Sequence, residues 1–404
     1  MLILENPSIT DVNGIKATGI SAGIKKNGKR DMALIYSEVE AVSAAAFTTN
    51  RVQAAPIKLD KEHIKNNITR AIVVNSGNAN ACTGEQGYQN ALDTCKMVAE
   101  KLGIKTEEVL VQSTGVIGVD LPMDKIKNGI DLLVEDLGEK GNFAAEAIMT
   151  TDLTKKVYGL EIELSGKKVK IIGMAKGSGM IHPNMATMLG FVVTDANISK
   201  EMLQEAHKEV VEDSYNMISV DGDTSTNDMA CVLANGLAHN EKITSLNNDF
   251  YKFKEALKKV SEELAKKIAE DGEGATKFLE VEVTGAKDKK NAQILAKSLI
   301  TSNLAKCAFF GADANWGRIL CAMGYSGGEF DTEKVTIDFI SGDYRMRVAE
   351  KGRGIAFDEK YAKELLLNKN IRVEIMLEDG EASAKAWGCD LSYDYVKING
   401  DYRS

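Results

Sequence analysis

The sequence predicts an α+β protein in which layered sheets and helices form two lobes. Short runs rich in β-branched residues alternate with longer segments whose apolar residues recur every three or four positions, and these patterns are typical of strands and amphipathic helices. Their order is mixed rather than strictly alternating, which favours α+β layers. The 404 residues are 44% hydrophobic and 27% charged, so the chain has room for two or three domains with substantial cores.

The N-terminal half contains two predicted strands, two predicted helices and a hairpin. The strands are short apolar runs of the kind that lie buried in a sheet, and the helices carry apolar residues at three- and four-residue intervals. The hairpin joins two β-rich runs through Ser-Gly-Lys. These elements are the strands 71–74 and 109–112, the helices 91–102 and 123–137, and the hairpin 161–174.

The second half opens with a strand over 189–196 and a helix that Ser199 can cap and that extends to about Ile218. A longer helix follows, with predicted ion pairs Glu262–Lys266 and Glu263–Lys267 on its solvated face. Its apolar stripe consists of Phe253, Leu257, Val260, Leu264 and Ile268. Further strands are predicted over 229–235, 278–285, 334–340 and 370–377.

Composition excludes several kinds of protein. Fifty basic and 59 acidic residues give a formal net charge of −9, which argues against nonspecific binding to nucleic acid or anionic membranes. No apolar run is as long as a membrane-spanning helix, and Glu5 interrupts the first apolar stretch before a signal peptide could form. We therefore expect a cytoplasmic protein that acts on a small polar molecule.

Residues that commonly bind metals or act as bases are scarce. The six cysteines form no C-x-x-C pair and the four histidines no H-E-x-x-H spacing, so neither a zinc site nor a histidine-based triad is predicted. Residues 176–183 lack the third glycine of a dinucleotide fingerprint, and Thr226 stands where a calcium loop needs glycine. If the protein is an enzyme, its base need not be histidine.

The segment 176–196 has an unusual order of residues. Gly177, Gly179 and Pro183, one of only four prolines, precede an apolar strand. Because glycine permits unusual backbone angles and proline fixes one dihedral, the peptide that follows is expected to be strained near Ala186–Thr187.

A threonine is an effective nucleophile when it is the first residue of a chain, because its own α-amine then acts as the base. An α-amine titrates at about pH 7.7–8.0, which suits catalysis near neutrality. Cleavage would create this amine if the Thr187 hydroxyl attacked the Ala186 carbonyl and water hydrolysed the resulting ester. The alternative is that Thr187 is simply a β-branched residue at the start of a strand, and spacing alone favours that alternative.

Longer motifs add a resemblance that covers essentially the full chain. Besides the segment 176–196, the chain contains six motifs: NSGNANACTG (75–84), STGVIG (113–118), MTTD (149–152), DGEGATK (271–277), CAFFGADANWGRI (307–319) and NGDYRS (399–404). Over that segment and these motifs the chain is similar to the ornithine acetyltransferase family, the glutamate N-acetyltransferases of arginine biosynthesis. The resemblance also implies a fold of the aminopeptidase and ornithine acetyltransferase type.

The resemblance implies roles for the matched positions. It implies cleavage between Ala186 and Thr187, Thr187 as the nucleophile that carries the acetyl group, and an oxyanion hole formed by Thr114 and Gly115. The implied substrate contacts, besides Thr187, are Thr150, Lys176, Glu273, Asn399 and Ser404. Lys176 is expected to face a carboxylate and Glu273 the ammonium group of ornithine, whereas Thr151 remains an alternative to Thr150. Tyr393, Tyr395 and Ile398 are expected to anchor the tail.

The implied reaction is a double displacement from N2-acetylornithine to glutamate through acetyl-Thr187. The implied working form consists of an alpha chain, residues 1–186, and a beta chain, residues 187–404, with two copies of each. No metal or organic cofactor is implied, since the base, nucleophile and oxyanion donors all belong to the polypeptide.

Three alternatives remain open at the level of sequence. Bifunctional members of the family also take acetyl groups from acetyl-CoA, and between the two activities we favour the monofunctional one. A self-processed amidase or aminopeptidase would let water release the acyl group. An unprocessed amino-acid-binding protein would stay one intact chain.

Overall fold

The fold is given by a computed structural model that describes residues 1–182 and 188–401. In these ranges the strands are β1 Leu2–Ile3, β2 Ile15–Ile20, β3 Met32–Phe47, β4 Thr69–Asn78, β5 Val109–Val116, β6 Lys156–Leu164, β7 Lys167–Lys176, β8 Leu189–Thr194, β9 Ile218–Ser219, β10 Met229–Ala234, β11 Phe278–Ala286, β12 Thr336–Ser341, β13 Tyr344–Glu350, β14 Arg353–Gly354, β15 Asn370–Met376 and β16 Ala382–Cys389.

The helices lie between these strands. They are α1 Ala55–His63, α2 Gly84–Leu102, α3 Met123–Glu135, α4 Gly141–Ala147, α5 Lys200–Asp213, α6 Asn248–Glu270, α7 Lys289–Thr301, α8 Asn303–Phe310, α9 Trp316–Gly324, α10 Glu359–Leu366 and α11 Tyr393–Asp401. No helix of the described ranges is long and apolar enough to cross a membrane.

The strands of the described residues form two mixed sheets. The larger sheet has the order β1-β6-β7-β8-β10-β3-β4-β5, with β2 paired to β3. Its parallel pairs are β8 with β10 and β4 with β5. The smaller sheet has the order β14-β13-β12-β15-β11-β16-β9 and is parallel at β11–β15 and β16–β9. The predicted α+β class is confirmed.

Helix α6 connects the two sheets. It contacts β6 and β7 of the larger sheet and β11 and β16 of the smaller one, and its stripe from Phe253 to Ile268 is fully buried. One continuous hydrophobic cluster therefore includes residues of both sheets and of α5, α6 and α7. Helix α4 packs on β2 and β3, while α1 and α2 pack on β5.

The predicted hairpin and helix cap are confirmed. Strands β6 and β7 pair from Lys156↔Ala175 to Leu164↔Lys167, and the turn residues Ser165 and Gly166 both have positive φ, as a two-residue hairpin requires. The side chain of Ser199 accepts a hydrogen bond from the amide of Met202 at the start of α5.

The end of α5 was predicted too far along the chain. The helix ends at Asp213 rather than near Ile218, because Ser214 leaves the helical region with φ −122° and ψ −86°. Tyr215–Met217 forms a 3-10 turn and Ile218 begins β9. The apolar spacing continues through this break since Tyr215, Met217 and Ile218 are all buried, so periodicity alone could not reveal it.

The predicted ion pairs on α6 are wrong in register. Glu263 pairs with Lys259 and Lys266, at 2.9 and 3.0 Å, and Glu262 pairs with Lys258. Each of these long side chains has candidate partners in both directions along the helix, and such partly exposed pairs differ by only a few tenths of a kcal/mol.

We expect Phe253→Ala to lower the free energy of unfolding by about 3–5 kcal/mol, because the ring is fully buried between the sheets. Urea unfolding followed by circular dichroism measures this change. Tyr251→Ala, two residues earlier on the same helix and half exposed, is the matched control and should cost less than about 1 kcal/mol. Equal losses in the two variants would contradict the placement of α6.

Candidate functional site

One cavity brings together every described residue that the sequence predicted for the site. Five elements or loops contribute: the end of β5, the loop after α4, the end of β7, the loop after α6, and α11. The predicted residues that line it are Thr114, Gly115, Thr150, Lys176, Glu273 and Asn399. We call it the site cavity. Ala186, Thr187 and Ser404 lie outside the described residues.

The turn that carries Thr114 and Gly115 is set by close contact with β4. Gly115 has φ +133°, and a Cβ atom there would lie 2.4 Å from the carbonyl carbon of Gly77, so only glycine fits without moving the backbone. The β4–β5 register shifts at Gly77 and Asn78. Ser113 holds the base of the turn by donating from Oγ to Asn75 Oδ1 at 2.6 Å.

Lys176 supplies a buried positive charge at the end of β7. Only 7% of the residue is exposed, and its ammonium group makes no hydrogen bond or salt bridge to any residue of the described ranges, although it lines the site cavity. An unpaired buried charge is costly unless a ligand compensates it. The arrangement is therefore suited to an anionic group.

A buried ion-pair network, the Lys156 bridge, joins three segments of the site. The Lys156 ammonium donates to Asp152 at 2.7 Å and to Asp271 at 2.6 Å. Asp152 also accepts from the amides of Thr150 and Gly177, at 2.9 and 2.7 Å. The loop after α4, the end of β7 and the end of α6 are thus fixed to one another.

The acidity of Asp152 shows how strongly this network favours the charged carboxylate. Burial alone would raise the pKa of Asp152, but the charges of Lys176 and Lys156, with the hydrogen bond from Lys156, outweigh burial and lower it to about 2. Asp152 consequently remains a carboxylate at any pH near neutrality.

Glu273 places a negative charge in the same cavity. Its amide donates to Ser178 O at 3.0 Å, and its carboxylate accepts from Asn399 Nδ2 at 2.8 Å. A Cβ atom on Gly179 would lie 2.2 Å from the Glu273 carboxylate, so glycine is needed at 179 for this approach. Together with Lys176, Glu273 gives the cavity one charge of each sign.

Helix α11 is held by polar contacts rather than by the predicted apolar anchors. None of its described residues is buried, and both Tyr393 and Ile398 are exposed, so the expectation that burial of these two side chains anchors the tail is wrong. The Tyr393 ring still makes an edge-to-face contact with Phe310, with the ring centroids 5.6 Å apart, and Tyr395 is half-buried. Ser392 Oγ instead donates to Gly274 O at 2.6 Å, and Asn399 contacts Glu273. Sequence patterns identify apolar anchors more readily than such single hydrogen bonds.

The chain on both sides of the predicted cleavage site is fixed to the same neighbouring segment. Val220 N donates to Ile181 O at 2.7 Å, and Met229 N donates to Met188 O at 3.0 Å. Met180, which lines the cavity, has φ +48°, a strained conformation for a residue with a side chain. Strain predicted at Ala186–Thr187 itself concerns residues that the structure does not describe.

A further wall of the cavity was not predicted from the sequence. It is formed by Ser225, Thr226, Asn227 and Asp228, in a segment whose spacing was weighed only as a calcium loop and rejected. The available signal was a run of hydroxyl, amide and carboxyl side chains directly before a buried strand. Thr151 lines the cavity beside Thr150, so the choice between these two threonines stays a prediction.

The fold and the cavity define a class of protein: two mixed sheets joined by a buried helix, with a small-molecule site that contains a buried cation and a buried anion. The ArgJ family model matches residues 16–404. The chain belongs to the ArgJ family.

Individual relatives match over nearly the whole chain. The chain is 55% identical to arginine biosynthesis bifunctional protein ArgJ 1 of Clostridium acetobutylicum, over 100% of this chain and 99% of the relative. It is 54% identical to arginine biosynthesis bifunctional protein ArgJ of Caldanaerobacter subterraneus subsp. tengcongensis, over 97% of each.

A solved structure is also similar. The crystal structure of arginine biosynthesis bifunctional protein ArgJ from Bacillus halodurans matches with a TM-score of 0.50 and 47% identity. The match covers 98% of that chain but 52% of this one.

We expect Lys156→Met to lower the free energy of unfolding by about 3–5 kcal/mol, because it leaves two buried carboxylates without their cation. Chemical unfolding measures the loss, and hydrogen exchange at the Thr150 and Gly177 amides reports the loosening of the site. Lys155→Met is the control, since Lys155 forms an exposed pair with Glu146 and should contribute less than about 1 kcal/mol. A Lys156 variant as stable as this control would refute the role of the bridge.

Proposed function

We propose that the protein is an acetyltransferase of arginine biosynthesis that moves an acetyl group from N2-acetylornithine to glutamate. The observation that carries the proposal is the pairing in one cavity of a buried ammonium group, Lys176, with a buried carboxylate, Glu273. Both substrates are amino acids, so each offers a carboxylate for Lys176, and the side-chain ammonium of ornithine suits Glu273.

The proposed chemistry is acyl transfer through Thr187. The hydroxyl of Thr187 attacks the acetyl carbonyl of N2-acetylornithine, and the turn at Thr114 and Gly115 supplies donors for the oxyanion that develops. Ornithine leaves, and glutamate then takes the acetyl group from acetyl-Thr187. The closeness of this turn to Lys176 and Glu273 in one cavity supports the assignment.

We further propose that the chain cuts itself between Ala186 and Thr187, giving chains 1–186 and 187–404 that assemble as two copies of each. The match to the solved relative supports cleavage, because that crystallised chain is covered almost completely yet corresponds to about half of this one. The hydrogen bonds at Ile181 and Met188 also support it, since they attach the described chain on both sides of the proposed cut to Val220 and Met229. A cytoplasmic location belongs to the same proposal.

The names of the relatives favour the bifunctional alternative over the monofunctional activity preferred from sequence. Both curated relatives described above carry the word bifunctional in their names. We therefore propose that acetyl-CoA also serves as an acetyl donor to Thr187, after which glutamate accepts the group as in the main reaction.

We expect glutamate to be acetylated with either N2-acetylornithine or acetyl-CoA as donor, and Thr187→Ala to abolish both reactions, because it removes the nucleophile. Parallel assays with the two donors, with denaturing electrophoresis of each sample, measure activity and cleavage together. The variant should run as one uncut chain, whereas Thr332→Ala, an exposed threonine far from Thr187 in sequence, should be cut and active.

Three results would count against parts of this proposal. Turnover by Thr187→Ala comparable to wild type would exclude Thr187 as the nucleophile. Release of acetate from N2-acetylornithine at the same rate with and without glutamate would identify a hydrolase. Transfer from N2-acetylornithine but not from acetyl-CoA would restore the monofunctional reading.

We expect Gly115→Ala to lower kcat about 10²-fold or more, because the added methyl group collides with the Gly77 backbone and displaces the oxyanion donors. Steady-state kinetics of glutamate acetylation measure the effect. Gly118→Ala is the matched control, since Gly118 also has positive φ, +76°, but an added Cβ meets nothing within 4 Å. Similar kcat values for the two variants would show that the turn does not serve the reaction.

A further inference from the structure

Asp228 occupies a position in the cavity that the proposed mechanism does not yet use. It directly precedes β10, where Met229 pairs in parallel with Leu189, so Asp228 lies beside Met188, the residue that follows Thr187 in sequence. Asn227, its neighbour, donates from Nδ2 to Ser113 O at 2.7 Å. The segment is thereby attached to the turn proposed as the oxyanion hole.

The carboxyl group of Asp228 is buried and incompletely bonded. Only 3% of the residue is exposed, and Oδ2 has no hydrogen-bond partner among the residues of the described ranges. Buried polar atoms of folded proteins are nearly always paired, so an exception in a site calls for an explanation. A proton on Oδ2 would be available to a ligand, because no described protein acceptor holds it.

The charge state of Asp228 differs from that of an ordinary aspartate. Burial raises the pKa of Asp228 well above its usual range, although the charge of Lys176 opposes this effect. Asp152, on which the charge of Lys176 also acts, has a pKa of about 2. The two aspartates near Lys176 are thus suited to different tasks, one as a permanent charge and one as a group that gains and loses a proton.

The binding mode proposed above places the reacting nitrogen near Asp228. In N2-acetylornithine the acetylated nitrogen and the carboxylate are attached to the same carbon atom. A substrate whose carboxylate meets Lys176 and whose distal ammonium meets Glu273 therefore has its α-nitrogen next to Lys176. Asp228 is the carboxyl group that acts electrostatically on Lys176 from the β10 side of the cavity.

We propose that Asp228 is a further catalytic residue of the acetyl transfer, exchanging a proton with the substrate nitrogen from which the acetyl group leaves and to which it is delivered. This inference rests on the proposed function. Two groups thus carry the two proton transfers. The α-amine of Thr187 exchanges a proton with the Thr187 hydroxyl oxygen, and Asp228 exchanges a proton with the substrate nitrogen.

In acylation the Thr187 hydroxyl proton passes to the α-amine, the C–N bond of N2-acetylornithine breaks, and its electron pair takes the proton of the Asp228 carboxyl group. Ornithine leaves as an amine and Asp228 remains as a carboxylate. In the second half-reaction the neutral α-amine of glutamate attacks the ester carbonyl of acetyl-Thr187, and one proton of that amine passes to Asp228. The C–O bond to Thr187 breaks, and the Thr187 oxygen regains a proton from the α-ammonium group of Thr187.

The charged groups around Asp228 come from three parts of the described chain. Lys176 faces it from β7, and Glu273 lines the same cavity from the loop after α6. Asp221 and Asp223 precede it on its own loop. A test must therefore separate Asp228 from groups that affect every reaction at the site.

Donors with different leaving groups provide this separation. N2-acetylornithine expels an amine, which needs a proton, whereas p-nitrophenyl acetate expels a stable phenolate, which needs none. We expect Asp228→Asn to slow acetylation of the enzyme by N2-acetylornithine about 10²-fold or more and acetylation by p-nitrophenyl acetate no more than about threefold. Rapid-quench mass spectrometry of the acetyl-enzyme, after electrophoresis confirms cleavage, gives both rates.

Asp223→Asn is the matched control, because Asp223 is an exposed carboxylate on the same loop that does not line the cavity. It should leave both rates near wild type. An equal loss with the two donors in Asp228→Asn, or no loss with either, would overturn the inference.

Wild-type enzyme supplies a second measurement that does not depend on any variant folding or being cut. The ratio of the two acetylation rates cancels the α-amine of Thr187, which serves both donors. Saturating N2-acetylornithine removes the effect of its binding to Lys176 and Glu273. Since only protonated Asp228 can act as the acid, the rate with N2-acetylornithine relative to p-nitrophenyl acetate should fall as pH rises. A ratio constant across the pH range of the folded enzyme would overturn the inference.

Failure of the proposed function is distinguishable from failure of this inference. If wild-type enzyme is acetylated by p-nitrophenyl acetate but never by N2-acetylornithine, the proposed donor is wrong. If wild type accepts both donors and Asp228→Asn accepts both equally well, only the role of Asp228 is wrong.

Discussion

The site depends on one buried interaction, the bridge in which Lys156 contacts Asp152 and Asp271. Three segments that are far apart in sequence meet there, and backbone amides of two of them donate to the same aspartate. Because a buried charge without its partner costs several kcal/mol, the segments cannot separate without exposing the whole network to that cost. The positions of Thr150, Lys176 and Glu273 follow from this constraint, since each lies within a few residues of the bridge.

The cavity beside the bridge is organised differently, because its charged groups make few direct contacts within the described protein. Lys156 is paired inside the bridge, whereas Lys176 forms no salt bridge with a described residue, and Asp228 Oδ2 has no hydrogen-bond partner among those residues. The bridge therefore makes the chain behind the site rigid. The charges that line the cavity remain available to a ligand that carries both a positive and a negative charge. Such preorganisation is what acyl transfer to and from amino acids requires.

Most of the fold was accessible from the sequence where local patterns and burial agree. The hairpin of β6 and β7, the Ser199 cap and the buried stripe of α6 all follow from periodicity and turn chemistry. The end of α5 could not be predicted in this way. Tyr215 and Met217 are buried although they lie in a turn after the helix, so their apolar spacing imitates a further helical turn. The anchoring of α11 could not be predicted from local patterns either, because it depends on hydrogen bonds to Gly274 and Glu273, which lie more than 100 residues away in sequence.

The sequence by itself determined the family, the α+β class and the six described residues that line the cavity, because long ordered motifs retain chemically necessary residue types at recognisable positions. Only the tertiary structure decided which of those residues meet and what surrounds them. It brought Asp228 into the cavity and fixed Lys176 beside it, and it gave two aspartates near that lysine opposite acidities. Burial and charge–charge distances control those acidities, and both are set by chain segments that local sequence patterns do not relate.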